Sequence, residues 1–114
     1  MSHDPAVTDP ELYTVIFEND RVRVLEYLDQ PGDKTQPHAH PDSLMFTLSS
    51  FARRVSSGGQ QRELTLESGQ ARWVGAQEHA GENIGDTPSH AIFVELKEPA
   101  RTVPAERPLG PSDH

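Results

Sequence analysis

The sequence has no cysteine. A chain without cysteine has no disulfide framework, no thiolate zinc site and no thiol nucleophile. Apolar residues are also scarce, at 33% of the 114 residues, whereas an average domain has about 45–50%. No apolar run is long enough for a transmembrane helix, and the amino terminus lacks the basic and apolar segments of a secretory signal. We therefore expect a cytoplasmic protein with no membrane partner.

The chain also has few positively charged residues. Ten lysines and arginines stand against 18 aspartates and glutamates, which gives a net charge of −8. Such a field repels nucleic acid unless a basic patch opposes it, and the only dense basic spot is Arg53–Arg54. We therefore expect no nucleic-acid partner.

The two ends of the chain differ in composition from its centre. Residues 1–11 contain two prolines and are predicted to form a flexible N-terminal arm, and residues 98–114 contain four prolines. So many prolines exclude a helix or a central strand, so the second segment is predicted to be an extended, Pro-rich C-terminal tail. The single folded domain is then residues 12–97.

Short β-rich runs fill this domain and are separated by turn signals roughly every 8–12 residues, which is typical of all-β folds. No segment shows the periodicity of an amphipathic helix. Ser56–Gly59 is the clearest hairpin signal. The predicted strands cover 13–17, 22–28, 44–48, 52–55, 62–66, 71–74, 78–84 and 91–96. Eight short strands indicate a β-sandwich or a small barrel.

Three of the six histidines form a candidate metal site. His38 and His40 are two residues apart, so an extended backbone places both imidazoles on the same side. Pro41 favours that extended conformation for His40. Imidazole is a good ligand for divalent metals, and His79 is the natural third ligand. The pair alone is a weak signal, because HxH also occurs by chance on solvated strand edges.

The spacing around the pair resembles the first motif of the cupin superfamily, G(X)5HXH(X)3–4E(X)6G. Gly32, five residues, His38 and His40 follow that motif. The glutamate of the motif falls within Ser43–Met45, where the chain has no carboxylate, and the final glycine is also missing.

The second cupin motif, G(X)5PXG(X)2H(X)3N, is similar to the segment that begins at Gly69. Gly75 stands at the proline position, and His79 and Asn83 keep the H(X)3N spacing, although His79 comes one residue early. The resemblance covers roughly residues 13–96. It implies a double-stranded β-helix, also called a jelly-roll barrel, and it implies a homodimer.

The resemblance also implies a divalent metal cofactor (Fe, Zn, Ni or Mn) on His38, His40 and His79. Three alternatives stay open because the glutamate is missing. The three histidines alone hold the metal and leave positions open for water or substrate. A substitute carboxylate completes the site, with Asp42, Glu78 and Glu82 nearest in sequence. Otherwise the site is degenerate.

The alternatives for the metal site lead to different hypotheses about function. The leading hypothesis is a metal-dependent enzyme acting on a small organic molecule, with dioxygenase-like chemistry first and isomerase chemistry also considered. The alternative is a non-catalytic binding or sensing cupin. A metal-free acid–base enzyme that uses a histidine is a third reading.

Candidate pocket residues come from strand parity and from proximity to the histidines. Asn83 either lines the pocket or hydrogen-bonds a turn, and Arg23 and Arg72 are weaker candidates for binding a carboxylate. The predicted pocket residues are Gln36, Gln77, Asn83, Met45 and Phe46.

Overall fold

A computed structural model describes residues 4–97 of the chain. The described residues form one short helix and nine strands, and no helix among them is long and apolar enough to cross a membrane. The elements are α1 (Pro5–Thr8), β1 (Tyr13–Glu18), β2 (Val22–Asp29), β3 (His38–His40), β4 (Ser43–Thr47), β5 (Phe51–Ser57), β6 (Gln60–Leu66), β7 (Ala71–Val74), β8 (Gln77–Asn83) and β9 (Ser89–Leu96).

Two antiparallel sheets make up the fold. The five-stranded sheet has the order β1-β2-β9-β4-β7, and the four-stranded sheet has the order β3-β8-β5-β6. All eight predicted strands are present, and β3 is added to them. The predicted hairpin joins β5 to β6 through Gly58 and Gly59, whose φ angles of 57° and 81° suit a two-residue turn. The expectation of an all-β jelly roll is confirmed.

An apolar core lies on the inner face of the five-stranded sheet. Its members come from β1, β2 and β9, and they are Tyr13, Leu25, Tyr27, Ala91 and Phe93. The register places Leu25 opposite Phe93 and Tyr27 opposite Ala91, so these side chains share one face. Met45 packs against the same cluster from β4.

The interior is unusually polar for its size. Buried polar residues outnumber buried apolar ones among the described residues, and they include His38, His40, Asp29 and Glu95. Buried polar groups need partners because an unsatisfied one costs about 1–3 kcal/mol. The hydrogen bonds of these groups therefore decide how the barrel interior is organised.

Phe46 does not reach that interior, so its prediction as a pocket residue is wrong. It lies opposite Ile92 on the outer face of the five-stranded sheet and is 41% exposed. Its neighbour Met45 points inward, because successive side chains of a strand alternate between faces.

The described part of the predicted N-terminal arm packs against the domain. Asp4 accepts a hydrogen bond from the Ala6 backbone at the start of α1 and forms an ion pair with Arg23. Asp9 is buried and accepts a hydrogen bond from the Gln36 backbone amide. Residues 4–11 are therefore held in place, contrary to the expectation of a flexible arm. The predicted tail, 98–114, lies outside the described residues.

Candidate metal centre

Strand pairing brings the three histidines together. In the register of β3 with β8, His38 lies opposite His79, and His40 lies opposite Gln77. His38 and His40 are buried and His79 is half-buried. One nitrogen from each imidazole lies within 4.8 Å of the corresponding nitrogens of the other two. Residues that are far apart in sequence thus present their ligand atoms to one point.

Each histidine engages its Nδ1 atom with an oxygen acceptor. The partner of His38 is the Gln36 carbonyl at 2.8 Å, and the partner of His79 is Gln77 Oε1 at 2.7 Å. His40 Nδ1 lies 3.1 Å from Glu95 Oε2. Because these partners accept hydrogen bonds, the proton of each neutral ring belongs on Nδ1. The Nε2 lone pairs are then left for a ligand.

The clearest indication that a ligand binds here comes from His40. Its Nε2 atom is the one fully buried side-chain nitrogen or oxygen in the described chain that has no hydrogen-bond partner. A buried acceptor without a partner is costly, and such atoms mark sites where an ion or ligand belongs. Three imidazole nitrogens within 4.8 Å of one another fit a borderline divalent cation.

The electrostatics keep the cluster in the state that a metal requires. Burial lowers the pKa of His79 to about 3, with further lowering by the neighbouring positive charges of His40 and His38. Burial also lowers the pKa of His38, against the opposing hydrogen bond to the Gln36 carbonyl. Both rings are therefore neutral near pH 7, and no proton has to leave before a cation binds.

Sequence reasoning missed a carboxylate behind the cluster. Glu95 contacts His40 at Nδ1 rather than at the shared point, and its other oxygen lies 2.7 Å from Arg23 Nη2. It lies directly opposite Ser43, within the segment where the cupin motif places its glutamate. Glu95 therefore orients a ligand histidine instead of acting as a ligand. Its inward parity with Ala91 and Phe93 was the available sequence signal.

The three carboxylates that were considered as substitute ligands lie elsewhere. Asp42 accepts a hydrogen bond from the Ala76 backbone, and Glu82 pairs with Arg54. Glu78 is exposed on the outward parity of β8. Among residues 4–97, the group able to hold a metal consists of the three histidines alone.

Aromatic side chains enclose the buried side of the cluster. Phe93 stacks on His40 with ring centroids 5.1 Å apart and an angle of 14° between the planes. The Tyr13 hydroxyl lies 3.5 Å from His38 Nε2. Burial raises the pKa of Tyr13, so this phenol stays protonated and is available as a donor near the site.

A cavity of about 610 Å³ opens beside the histidines, between the two sheets. Met45 and Gln77, two of the predicted pocket residues, line it. Gln36 does not line it, because its side chain is exposed and only its carbonyl reaches His38. The described lining contains three arginines, Arg53, Arg62 and Arg72, and no carboxylate. The lining thus carries three cationic side chains, of which Arg53 is paired with Asp29, in a chain of net charge −8.

Asn83 has a structural role next to the cavity. Its side-chain nitrogen donates to Asp29 Oδ1 at 2.9 Å and to the Thr87 carbonyl at 2.8 Å. Its oxygen accepts from the Gly85 backbone amide at 3.0 Å. The contacts with Thr87 and Gly85 fasten the turn between β8 and β9, and the contact with Asp29 ties this turn to β2. The turn-bonding alternative therefore holds, and the pocket prediction for Asn83 is wrong.

Asp29 is the hub of a second buried polar cluster. Its Oδ1 accepts from Asn83 and from the Ser89 backbone amide, and its Oδ2 accepts from the Tyr27 hydroxyl and Arg53 Nη1. Burial alone would raise the pKa of Asp29, but hydrogen bonds from Tyr27, Arg53 and Asn83 outweigh it and lower the pKa. Asp29 is therefore an ionised and fully satisfied anchor for Arg53.

Comparison with known proteins gives structural matches only. No protein-family model matches the sequence, and no curated protein matches it. A cupin domain from Bordetella pertussis Tohama I has a similar structure with a TM-score of 0.71 and 25% identity, over 75% of this chain and 92% of that one.

Two further solved structures share the fold at lower identity. A double-stranded β-helix protein of Klebsiella pneumoniae is 22% identical with a TM-score of 0.61, over 75% of each chain. The polyketide cyclase RemF of Streptomyces resistomycificus is 17% identical with a TM-score of 0.58, over 74% of this chain and 63% of that one. The chain therefore has the double-stranded β-helix fold of cupin-domain proteins.

Proposed function

We propose that the protein binds a divalent metal on His38, His40 and His79 and acts on a small organic molecule held in the adjoining cavity. The observation that carries this proposal is the buried Nε2 atom of His40, which has no partner among the described residues. The shared orientation of three ring nitrogens supports it. A cupin enzyme with a known activity, such as the polyketide cyclase above, shows that the fold accommodates catalysis.

The chain's own residues prepare the site. Gln36, Glu95 and Gln77 fix the Nδ1 tautomer of the three rings, which leaves Nε2 as the acceptor atom of each ring. At His38, a cation would replace the Tyr13 hydroxyl as the partner of Nε2. Bound there, a divalent cation would supply Lewis-acid or redox chemistry toward an oxygen of the small molecule. Apolar side chains such as Phe93 exclude water from the buried side, and the Tyr13 hydroxyl is placed to donate a hydrogen bond.

Dioxygenase-like chemistry with iron is the leading form of this function. Three neutral ligands leave open coordination positions, which a reaction with substrate and oxygen requires. No carboxylate among the described lining residues offers a general base. Acid–base catalysis would then fall to the histidines of the lining, whose Nε2 atoms this proposal assigns to the metal.

That same lack of a lining carboxylate favours one alternative, a non-catalytic cupin that binds or senses the small molecule. The two functions share the metal site and the cavity but differ in turnover. A bound molecule that is recovered unchanged from iron-loaded protein under air would favour the alternative.

The test of metal binding is titration of EDTA-treated protein with Fe²⁺, Zn²⁺, Ni²⁺ and Mn²⁺, with elemental analysis after desalting. We expect about one equivalent of metal per chain. His38→Ala and His79→Ala should abolish this binding, and His90→Ala is the matched control, because His90 pairs with Glu26 outside the cluster. No metal bound by the wild type, or equal binding by all variants, would overturn the proposal.

A further inference from the structure

Arg53, on β5, lines the same cavity as His38 and His79. In the register of β5 with β8, Arg53 lies opposite Asn83, and Val55 lies opposite Gly81, which is two residues from His79. Side chains at these positions share the inner face of the four-stranded sheet. The arginine and the histidines therefore line one cavity.

Half of the Arg53 guanidinium is fixed and the other half is available. Nη1 donates to Asp29 at 2.7 Å and to Ser89 Oγ at 3.2 Å. Within residues 4–97, Arg53 Nε and Nη2 have no hydrogen-bond acceptor. Both atoms keep some exposure in the cavity lining, whereas His40 Nε2 is fully buried. Nε and Nη2 form the edge of arginine that binds carboxylate or phosphate with two parallel hydrogen bonds.

The guanidinium is also held in a defined position. Its partner Asp29 accepts four hydrogen bonds and is therefore fixed in position. The Arg53 guanidinium also lies over the Tyr27 ring, 5.0 Å from the ring centroid. Gly81 makes room for it, since a Cβ atom there would lie 2.5 Å from Arg53 Nη2. A preorganised donor pair loses little entropy on binding.

The remaining walls of the cavity specify the rest of the ligand. Apolar side chains such as Phe51, Leu66 and Phe93 surround the space, and no carboxylate among the described lining residues repels an anion. We propose that Arg53 is the anchor for a small organic anion, whose carboxylate or phosphate group binds Nε and Nη2 while its apolar body fills the cavity. The inference rests on the proposed function in one respect, namely that the same molecule also meets the metal.

The test uses EDTA-treated full-length protein and three probes of similar shape: benzoate, phenyl phosphate and the neutral amide benzamide. Isothermal titration should show benzoate or phenyl phosphate binding roughly tenfold or more tightly than benzamide, because the charge-assisted hydrogen bonds are lost with the amide. The stronger of the two anions identifies the oxyanion. Benzamide binding as tightly as both anions, or the failure of all three to bind, would overturn the inference.

Two variants then locate the anchor. Arg53→Lys keeps a positive charge beside Asp29 but loses the fork, and Gly81→Ala keeps the arginine but pushes its guanidinium aside. Each should weaken binding of the anion by roughly tenfold. Arg54→Gln is the matched control, because Arg54 contacts Glu63 and Glu82 outside the cavity, and it should leave binding unchanged. Equal binding by the wild type and both cavity variants would contradict the assignment.

The result is separable from the metal titration. If metal binds the histidines but no anion binds, this inference fails and the proposed metal site stands. If anions bind through Arg53 but no metal binds, the metal proposal fails and the anion anchor stands.

Discussion

The barrel interior holds two buried polar clusters that differ in one respect. Around Asp29, the carboxylate oxygens accept four hydrogen bonds, two on each oxygen. Around the histidines, Nδ1 of each ring is engaged, but His40 Nε2 is buried without a partner among the described residues. A satisfied cluster needs nothing further, whereas an unsatisfied one is complete only with a ligand.

The completeness of the hydrogen bonds, and not the type of residue, distinguishes the structural cluster from the candidate site. Both clusters contain ionisable side chains, and both lie between the sheets, so burial alone does not distinguish them. Arg53 connects the Asp29 cluster with the cavity, because Nη1 completes that cluster, the side chain lines the cavity, and Nε and Nη2 have no acceptor within residues 4–97. The Nη1 side of the guanidinium therefore has a structural role, and the edge formed by Nε and Nη2 is left for a ligand.

The largest effect on stability should come from removing Asp29, the centre of the cluster whose hydrogen bonds are complete. Asp29→Ala leaves the Arg53 charge and the Tyr27 and Asn83 donors without their acceptor. We expect a loss of about 3–5 kcal/mol in the free energy of unfolding, measured by urea denaturation of metal-free protein.

The control for that measurement is Asp20→Ala, which removes an exposed carboxylate. Its effect should stay within about 0.5 kcal/mol. A loss of similar size in both variants would show that the Asp29 cluster is not the scaffold we describe.

An intermediate effect should come from the group behind the metal site. Glu95→Gln keeps the shape of the side chain but removes the charge that orients His40 through Nδ1. Metal affinity should fall by roughly 10- to 100-fold, as for other orienting carboxylates, and calorimetric titration measures it. Glu26→Gln is the matched control, because Glu26 holds His90 in a similar pair outside the cluster. Equal losses in the two variants would remove the special role of Glu95.

The smallest effect should appear in the pH dependence of metal-free protein. His38 and His79 have lowered pKa values in the folded state, against 6.5 for an unperturbed histidine. The unfolded chain therefore binds more protons between pH 6.5 and about 3, so stability is full above pH 6.5 and falls as the pH falls through this window. The lowered pKa of Asp29 delays its own loss until below pH 3.8, so the histidine cluster weakens first.

Unfolding at a series of pH values checks this order. His79→Ala should flatten the slope between pH 6.5 and 4, because it removes one group whose protonation opposes folding. The effect is modest, since His79 is only half-buried and solvent screens part of the shift. An unchanged slope in the variant would refute the assignment.

Strand alternation predicted most of the fold but not every side-chain direction. The run Leu44–Phe46 is apolar at each position, so its pattern does not show which face is buried, and Phe46 was placed on the wrong one. The extended conformation of His38–His40 was predicted, but this segment was not counted as a strand, because three residues between prolines carry no periodicity of their own. Close spacing and the motif resemblance identified the three histidines that the structure brings together.

The supporting residues were beyond sequence reasoning because they depend on how the two sheets pack together. Glu95 is 55 residues from His40, and Asp29 is 24 residues from Arg53. His40 and Arg53 belong to the four-stranded sheet, whereas Glu95 and Asp29 belong to the five-stranded sheet, so only the packing of one sheet on the other determines which of these side chains meet. Arg53 was noted only as part of a dense basic spot with Arg54, because the charge of neighbouring arginines does not reveal that one of the two points inward.

Strand β3 has a kinetic consequence for any bound cation. It consists of three residues at the edge of its sheet and pairs only with β8, yet it carries two of the three histidines. Local opening of a short edge strand requires less free energy than global unfolding. One such opening would remove two ligands at once, so the residence time of the cation is tied to the opening frequency of β3 and not only to the strength of three separate bonds.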